Sequence, residues 1–303
     1  MSPQYRDPDV GAFRERLAAR AAARGTLTLQ EQRQNFDTEM GAIPIAEGCT
    51  ATTLDLGGVP AEHITPAAAS GGTMLYLHGG GHVFGSTRSH RHLVSRLAAA
   101  AGVDAWHIDY RLAPEHPYPA GLEDAVAAYR ALLARGVEPA RLVVGGESAG
   151  GNLATALLLR LRDLDLPQPA GLYLLSPWLD MGTTAAAYTQ VGARDPMIAA
   201  DRIGAMGKLY LGERPDDAFT SPVRADPAGL PPMLIQVGTE EVLLSDSTTF
   251  ATNAALCGID ITLRVWPEMP HAWPLFHPFI RAGLAAIDEA GAWIRNRLAG
   301  GTP

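Results

Sequence analysis

Hydrophobic and polar positions in this chain fall into short blocks whose period switches repeatedly between strand-like and helix-like. Residues 12–24 and 28–40 carry helical spacing, the first rich in Arg and Ala. Short apolar runs then predict strands near 50–56 and 62–65, and another over Met74-Leu75-Tyr76-Leu77. A helix from His90 to Ala101, a strand from Ala105 to Asp109 and a helix from Leu122 to Arg135 follow. Leu142-Val143-Val144 reads as a buried strand, Asn152 to Arg162 as a helix, and Gly171 to Leu175 as the next strand. After Asp180 the alternation breaks, and residues 183 to 220 predict short helices, Ala200 to Leu211 among them, with no strand. Strands resume at 233–237 and 261–266. A helix from about 279 to 298 closes the chain, with Ile280, Leu284, Ile287, Ile294 and Leu298 on one face.

Strands alternating with helices predict an α/β fold, a mostly parallel central sheet flanked by helices on both faces. The break divides the chain into four parts: an N-terminal helical part (1–45), the first part of an α/β core (46–182), an insertion (183–220) and the second part of the core (221–303). The insertion and the N-terminal helices are expected to lie together as a helical cap over the sheet edge.

Composition narrows the function classes. The chain has 303 residues, nearly half of them hydrophobic (47%), enough for a sizeable core. A net charge of −8 argues against nucleic-acid or anionic-membrane partners. The first twenty residues are studded with Arg, Asp and Glu, unlike a signal peptide, and no apolar run is long enough to span a bilayer. Cys49 and Cys257 show no metal or redox spacing and form no disulfide framework. A soluble, cytoplasmic protein is expected. Among nine histidines there is no His-Glu-x-x-His, His90-Arg91-His92 reads as a polar helix face, and no metal is expected.

Chemistry enters with Gly146-Glu147-Ser148-Ala149-Gly150, which stands between a predicted strand and a predicted helix. That is the context in which Gly-x-Ser-x-Gly forms a sharp turn that lifts the serine hydroxyl out of the sheet edge. Alone, the pattern also fits an ordinary Gly-rich turn. A second motif, His78-Gly79-Gly80-Gly81, ends an earlier strand, and consecutive glycines let backbone N–H groups approach a developing oxyanion. The amides of Gly80, Gly81 and Ala149 are the expected donors, with His78 bracing the loop rather than moving protons. A serine nucleophile needs a base and an orienting acid, in the order serine, acid, histidine. The strand 234–238 leads into Thr239-Glu240-Glu241-Val242-Leu243-Leu244-Ser245-Asp246, and the strand 263–266 into a loop carrying His271. Glu240, Glu241 and Asp246 are all candidates for the acid, and each also fits a solvated loop; Asp246 also fits a cap on the segment after it. His271 also fits a surface histidine. All four pieces nonetheless occur in order at C-terminal strand ends, where catalytic loops cluster in open α/β sheets.

With these motifs in place, the chain resembles the hormone-sensitive-lipase-like esterases, a bacterial group of α/β-hydrolases. The matching stretches are His78 to Gly81, Asp109-Tyr110-Arg111-Leu112-Ala113-Pro114-Glu115, Gly146 to Gly151, Ser176-Pro177-Trp178-Leu179-Asp180 and Glu241 to Ser247, within roughly residues 70 to 298. The resemblance implies Glu241 as the acid, where the family more often has Asp. It also implies that Asp109-Tyr110-Arg111 buttresses the glycine loop, that Glu147 is structural, and that the cap is built from the two helical segments. Phe13, Phe36, Tyr188, Met197, Met206 and Tyr210 are candidates to line the cap pocket, and Phe84 and Trp273 to touch substrate. The expected reaction is two-step acyl transfer on short-to-medium esters, about C2 to C8, with no cofactor. The base must be neutral, so activity should rise through about pH 6.5. A lactone hydrolase using the same triad is the alternative, and a non-catalytic ligand-binding homologue like the plant gibberellin receptors is a remote one. Relatives pairing through the strand Asp260 to Trp266 make a homodimer an expectation.

Overall fold

The structure is a computed structural model and describes residues 8–24, 27–69, 71–192, 194–198 and 200–300. Eight strands form one sheet: β1 (Cys49–Asp55), β2 (Pro60–Pro66), β3 (Thr73–Leu77), β4 (Asp104–Ile108), β5 (Leu142–Glu147), β6 (Gly171–Leu175), β7 (Met233–Gly238) and β8 (Ile261–Trp266). Their order is β1-β2-β4-β3-β5-β6-β7-β8. β1 and β2 pair antiparallel, as do β2 and β4, and every pairing from β4 to β8 is parallel. β5, which ends at the serine, therefore lies in the interior of the sheet.

Two apolar layers sandwich that sheet, and successive residues of each central strand serve opposite layers. Leu75, Leu77, Val144, Leu174 and Ile235 face one layer, built with helices α4 (Ala120–Ala134), α5 (Ala149–Asp163) and α8 (Leu244–Leu256). Met74, Tyr76, Val143, Tyr173 and Leu234 face the other, built with α1 (Asp9–Arg24), α3 (Thr87–Ala101) and α9 (Arg281–Leu298). Burial on both faces is why these strands read as unbroken apolar runs rather than as alternation. β1 is the opposite case, largely exposed at the sheet edge.

Local signals set the helix ends. α2 (Leu29–Gly41) starts with a capping box between Thr28 and Glu31, and α3 with one between Ser86 and Ser89. α3 stops where Gly102 turns left-handed at φ +68° and its N–H returns to Ala98 and Ala99. Two short helices, α6 (Ala186–Gln190) and α7 (Ala200–Leu211), occupy the stretch where the strand pattern broke.

Three expectations need correction. Leu284 is exposed, while Ile280, Ile287 and Ile294 are buried, so the apolar stripe of α9 is narrower than its spacing implied. Asp246 does not cap the helix after it; it sits in the first turn of α8 and accepts the N–H groups of Leu179 and Asp180 at 2.8 and 3.0 Å. His90 and His92 do not form a polar face: both are buried, His90 against Glu147 and His92 against His277.

Candidate active site

Ser148 sits between β5 and α5 with φ +57° and ψ −123°, a backbone conformation that costs a non-glycine residue of order 1–3 kcal/mol. The chain around it fixes that strain. The Ser148 N–H donates to Leu175 at 3.0 Å, and its carbonyl accepts from Asn152 and Trp178. The neighbouring glycines allow the close approach the turn needs, since a Cβ on Gly150 would stand 2.0 Å from the Leu77 carbonyl oxygen.

The glycine loop after β3 crosses in front of this turn. Gly80 has φ +112°, and its carbonyl accepts from Val83 and Phe84. Neither the Gly80 nor the Gly81 amide donates to another main-chain carbonyl among the described residues. The Gly79 amide, by contrast, is taken by Glu147 Oε1. Glu147 is buried and also meets His90 Nε2 and the Tyr76 hydroxyl, each at 2.8 Å. Burial pushes its carboxyl up, but His90 and these hydrogen bonds outweigh that and hold it below the usual carboxylate value. Glu147 thus staples the glycine loop to the serine turn. His78 braces the same loop through Nδ1 to the Gly79 carbonyl at 2.8 Å, and the Tyr110 hydroxyl donates to the His78 carbonyl at 2.6 Å. Burial, then the proximity of His90, brings His78 down to about 4, so it is neutral at physiological pH.

On the other side of Ser148, His271 Nδ1 lies 2.9 Å from Glu241 Oε2. Glu241 is fully buried, and its second oxygen accepts the Ser176 hydroxyl at 2.9 Å and the Gly238 N–H. Burial raises its pKa, and the bond to His271 opposes the rise. The other two acid candidates point elsewhere. Glu240 faces Arg14 and Arg194, and Asp246 is committed to the chain at Leu179–Asp180.

Ser148, His271, Gly80 and Gly81 line one cavity of about 80 Å³. Phe36, Phe84, Met197 and Met206 line it too, so α2 and the stretch through α7 roof the serine. The other four pocket candidates are absent from its wall. Tyr188 is buried with its hydroxyl 3.2 Å from Asp246, Tyr210 stacks on His82 with ring centroids 3.7 Å apart, and Trp273 is core, donating to the Ala282 carbonyl. Phe13 packs on Phe276 instead. The wall includes residues the sequence reading missed, namely Arg20, Ile198, Arg202, Ile203, Leu275 and Phe276. A second cavity of about 160 Å³ shares Arg20, Phe36, Phe84 and Arg202 with the first, so the two adjoin.

A family model for the alpha/beta hydrolase fold matches residues 74–275. An esterase from the bacterial hormone-sensitive lipase family superposes with a TM-score of 0.93 at 41% identity, covering 97% of this chain and 100% of that one. This chain is an α/β-hydrolase of the bacterial hormone-sensitive-lipase family. This chain is also similar to an acetyl-hydrolase of Streptomyces hygroscopicus, 44% identical over 244 residues, 80% of this chain and 82% of the relative. An esterase of Acinetobacter venetianus is 36% identical over 241 residues, 78% and 80% of the two chains. These relatives make it a carboxylic ester hydrolase. No helix among the described residues is long and apolar enough to cross a membrane, and no cluster of His, Cys, Asp and Glu there has the geometry to hold a metal ion.

Proposed function

We propose that this esterase hydrolyses short-to-medium acyl esters through Ser148, His271 and Glu241 and an acyl-enzyme intermediate. The observation that carries the reading is the bond from His271 Nδ1 to the buried Glu241, with the imidazole and Ser148 on one cavity wall. With Nδ1 donating to Glu241, the other ring nitrogen is left as the base. His271 takes the Ser148 proton as the hydroxyl attacks the ester carbonyl. The amides of Gly80, Gly81 and Ala149 hold the oxyanion, and Glu241 stabilises the imidazolium. His271 then returns the proton to the departing alcohol, and water releases the acyl group by the same route.

Cavity size supports the short-acyl preference. The cavity of about 80 Å³ beside Ser148 adjoins the second of about 160 Å³, and together they exceed the ~150 Å³ of an engineered cavity that binds benzene, leaving room for a short-to-medium acyl chain. The acetyl-hydrolase among its relatives points the same way. In this reading residues 1–45 and 183–220 form the cap, and 46–182 with 221–303 form the catalytic core. Steady-state hydrolysis of p-nitrophenyl acetate, butyrate, octanoate and palmitate beside ε-caprolactone, with Ser148→Ala as control, tests it. Turnover should be greatest on the C2–C8 esters and vanish in the variant. A strong preference for the cyclic ester makes the protein a lactone hydrolase, and binding without turnover makes it a binding module.

A further inference from the structure

The loop that carries Glu241 is held on both sides by residues from outside the sheet. Before Glu241, the Glu240 carboxylate lies 3.8 Å from Arg14 Nη1 on α1 and 3.6 Å from Arg194 Nη1. Arg14 also donates to the Arg194 carbonyl at 2.5 Å, so the N-terminal helix and the 183–220 stretch reach Glu240 as one unit. After Glu241, the Val242 N–H donates to Asp195 Oδ2 at 3.0 Å. The other Asp195 oxygen accepts the N–H groups of Met197 and Ile198 at 2.8 and 2.9 Å. Those two residues line the cavity above Ser148. One half-buried carboxylate therefore ties the cavity wall to the residue next to Glu241. Burial pushes the Asp195 carboxyl up and His271 pulls it down, so the imidazole is within its electrostatic reach.

We propose that Asp195 and Glu240 form a clasp through which the cap positions Glu241, so that the triad is in register only when the cap is seated. The proposal rests on the reading of Glu241 as the acid. Neither clasp residue lines the reaction cavity, and both are positioning residues. Asp195 is the stronger arm, because a carboxylate accepting a main-chain N–H is a charge-assisted bond. The Glu240 arm depends on longer, partly exposed pairs, which contribute little singly.

Asp195→Asn opens the strong arm alone. Its amide oxygen can keep the Met197 and Ile198 bonds, which leaves an NH2 group facing the Val242 N–H. On p-nitrophenyl butyrate kcat should fall about tenfold, the scale of a sub-ångström misplacement of a catalytic group, with KM within twofold. In a Glu241→Gln background the same substitution should cost less than twofold, because no positioned carboxylate is left to disturb. Glu240→Arg, which sets like charge against Arg14 and Arg194, should lower kcat at least about threefold, with recovery when Arg14→Glu is added. Wild-type kcat in Asp195→Asn, or a full tenfold loss added to that of Glu241→Gln, overturns the clasp. An unchanged kcat in Glu241→Gln alone overturns the triad reading, and the clasp with it, which separates the two failures.

Discussion

Replacing Glu241 by Gln should nearly abolish turnover while leaving the fold intact. One Glu241 oxygen accepts two donors, the Ser176 hydroxyl and the Gly238 main-chain N–H. The Gly238 N–H cannot become an acceptor, so the Gln oxygen is pinned on that side and its NH2 turns toward His271 Nδ1. The imidazole must then accept at Nδ1 and carry its proton on Nε2, where it cannot take one from Ser148. A tautomer error of this kind costs about 10⁴ in kcat in a serine protease, or about 5 kcal/mol of barrier. Stability should move the other way. Burial raises the Glu241 pKa above its ordinary 4.5, so the folded state binds this proton more tightly than the unfolded chain does. Its ionisation therefore erodes stability as pH rises from about 4.5 toward the folded value, and Gln removes that slope. The assay is p-nitrophenyl butyrate hydrolysis at pH 7.5 beside thermal melts from pH 4.5 to 8. A kcat within tenfold of wild type refutes the tautomer argument. A lowered melting temperature across the whole range refutes the stability argument.

Three further outcomes are expected. Gly80→Ala should cost at least about 100-fold in kcat, because its methyl would stand 2.0 Å from the Phe84 carbonyl oxygen. Gly81→Ala meets the Met206 sulfur at 2.4 Å, and adding Met206→Ala should recover part of its loss; activity of Gly80→Ala within fivefold of wild type removes the oxyanion assignment. Asp246, buried with no partner for Oδ1 among the described residues and its pKa raised from 3.8 to about 8, binds a proton in the fold that the unfolded chain has lost, so stability falls with rising pH between those values. Asp246→Asn should thus stabilise the protein by up to about 4 kcal/mol at pH 7 in urea unfolding, and a lower midpoint there contradicts this. Finally, β8 ends the sheet with Val265 42% exposed, and a homodimer pairing through it should dissociate in Val265→Glu by light scattering; a wild-type monomer at micromolar concentration removes the dimer.

Much of this architecture was legible because doubly buried strands and the loops at their C-terminal ends follow strict rules. Leu142-Val143-Val144 reads as a buried strand and forms the start of β5, Ser148 directly follows that strand, and His271 lies in the loop after β8, on the cavity wall. The acid was harder, because Glu240 and Glu241 are adjacent and sequence does not say which way each points. Side-chain partners separate them, Arg14 and Arg194 for one and His271 for the other. The cavity wall was least legible. Tyr188, Tyr210 and Trp273 lie near the right segments but turn into the core, since a large ring packs in either direction. Leu275 and Phe276 were detectable in principle, because they follow His271 within one short helical turn. The buried pair of His90 with Glu147 had only an indirect signal, a carboxylate on an interior strand that needs a partner.

The central claim, that Ser148 is the nucleophile, is tested most directly by intact-protein mass and peptide mapping after treatment with phenylmethylsulfonyl fluoride. One sulfonyl adduct is expected, on the peptide containing Gly146 to Gly151, forming in step with loss of esterase activity and absent in Ser148→Ala. Full inactivation with the adduct on a different residue, or unimpaired hydrolysis by Ser148→Ala, contradicts the account.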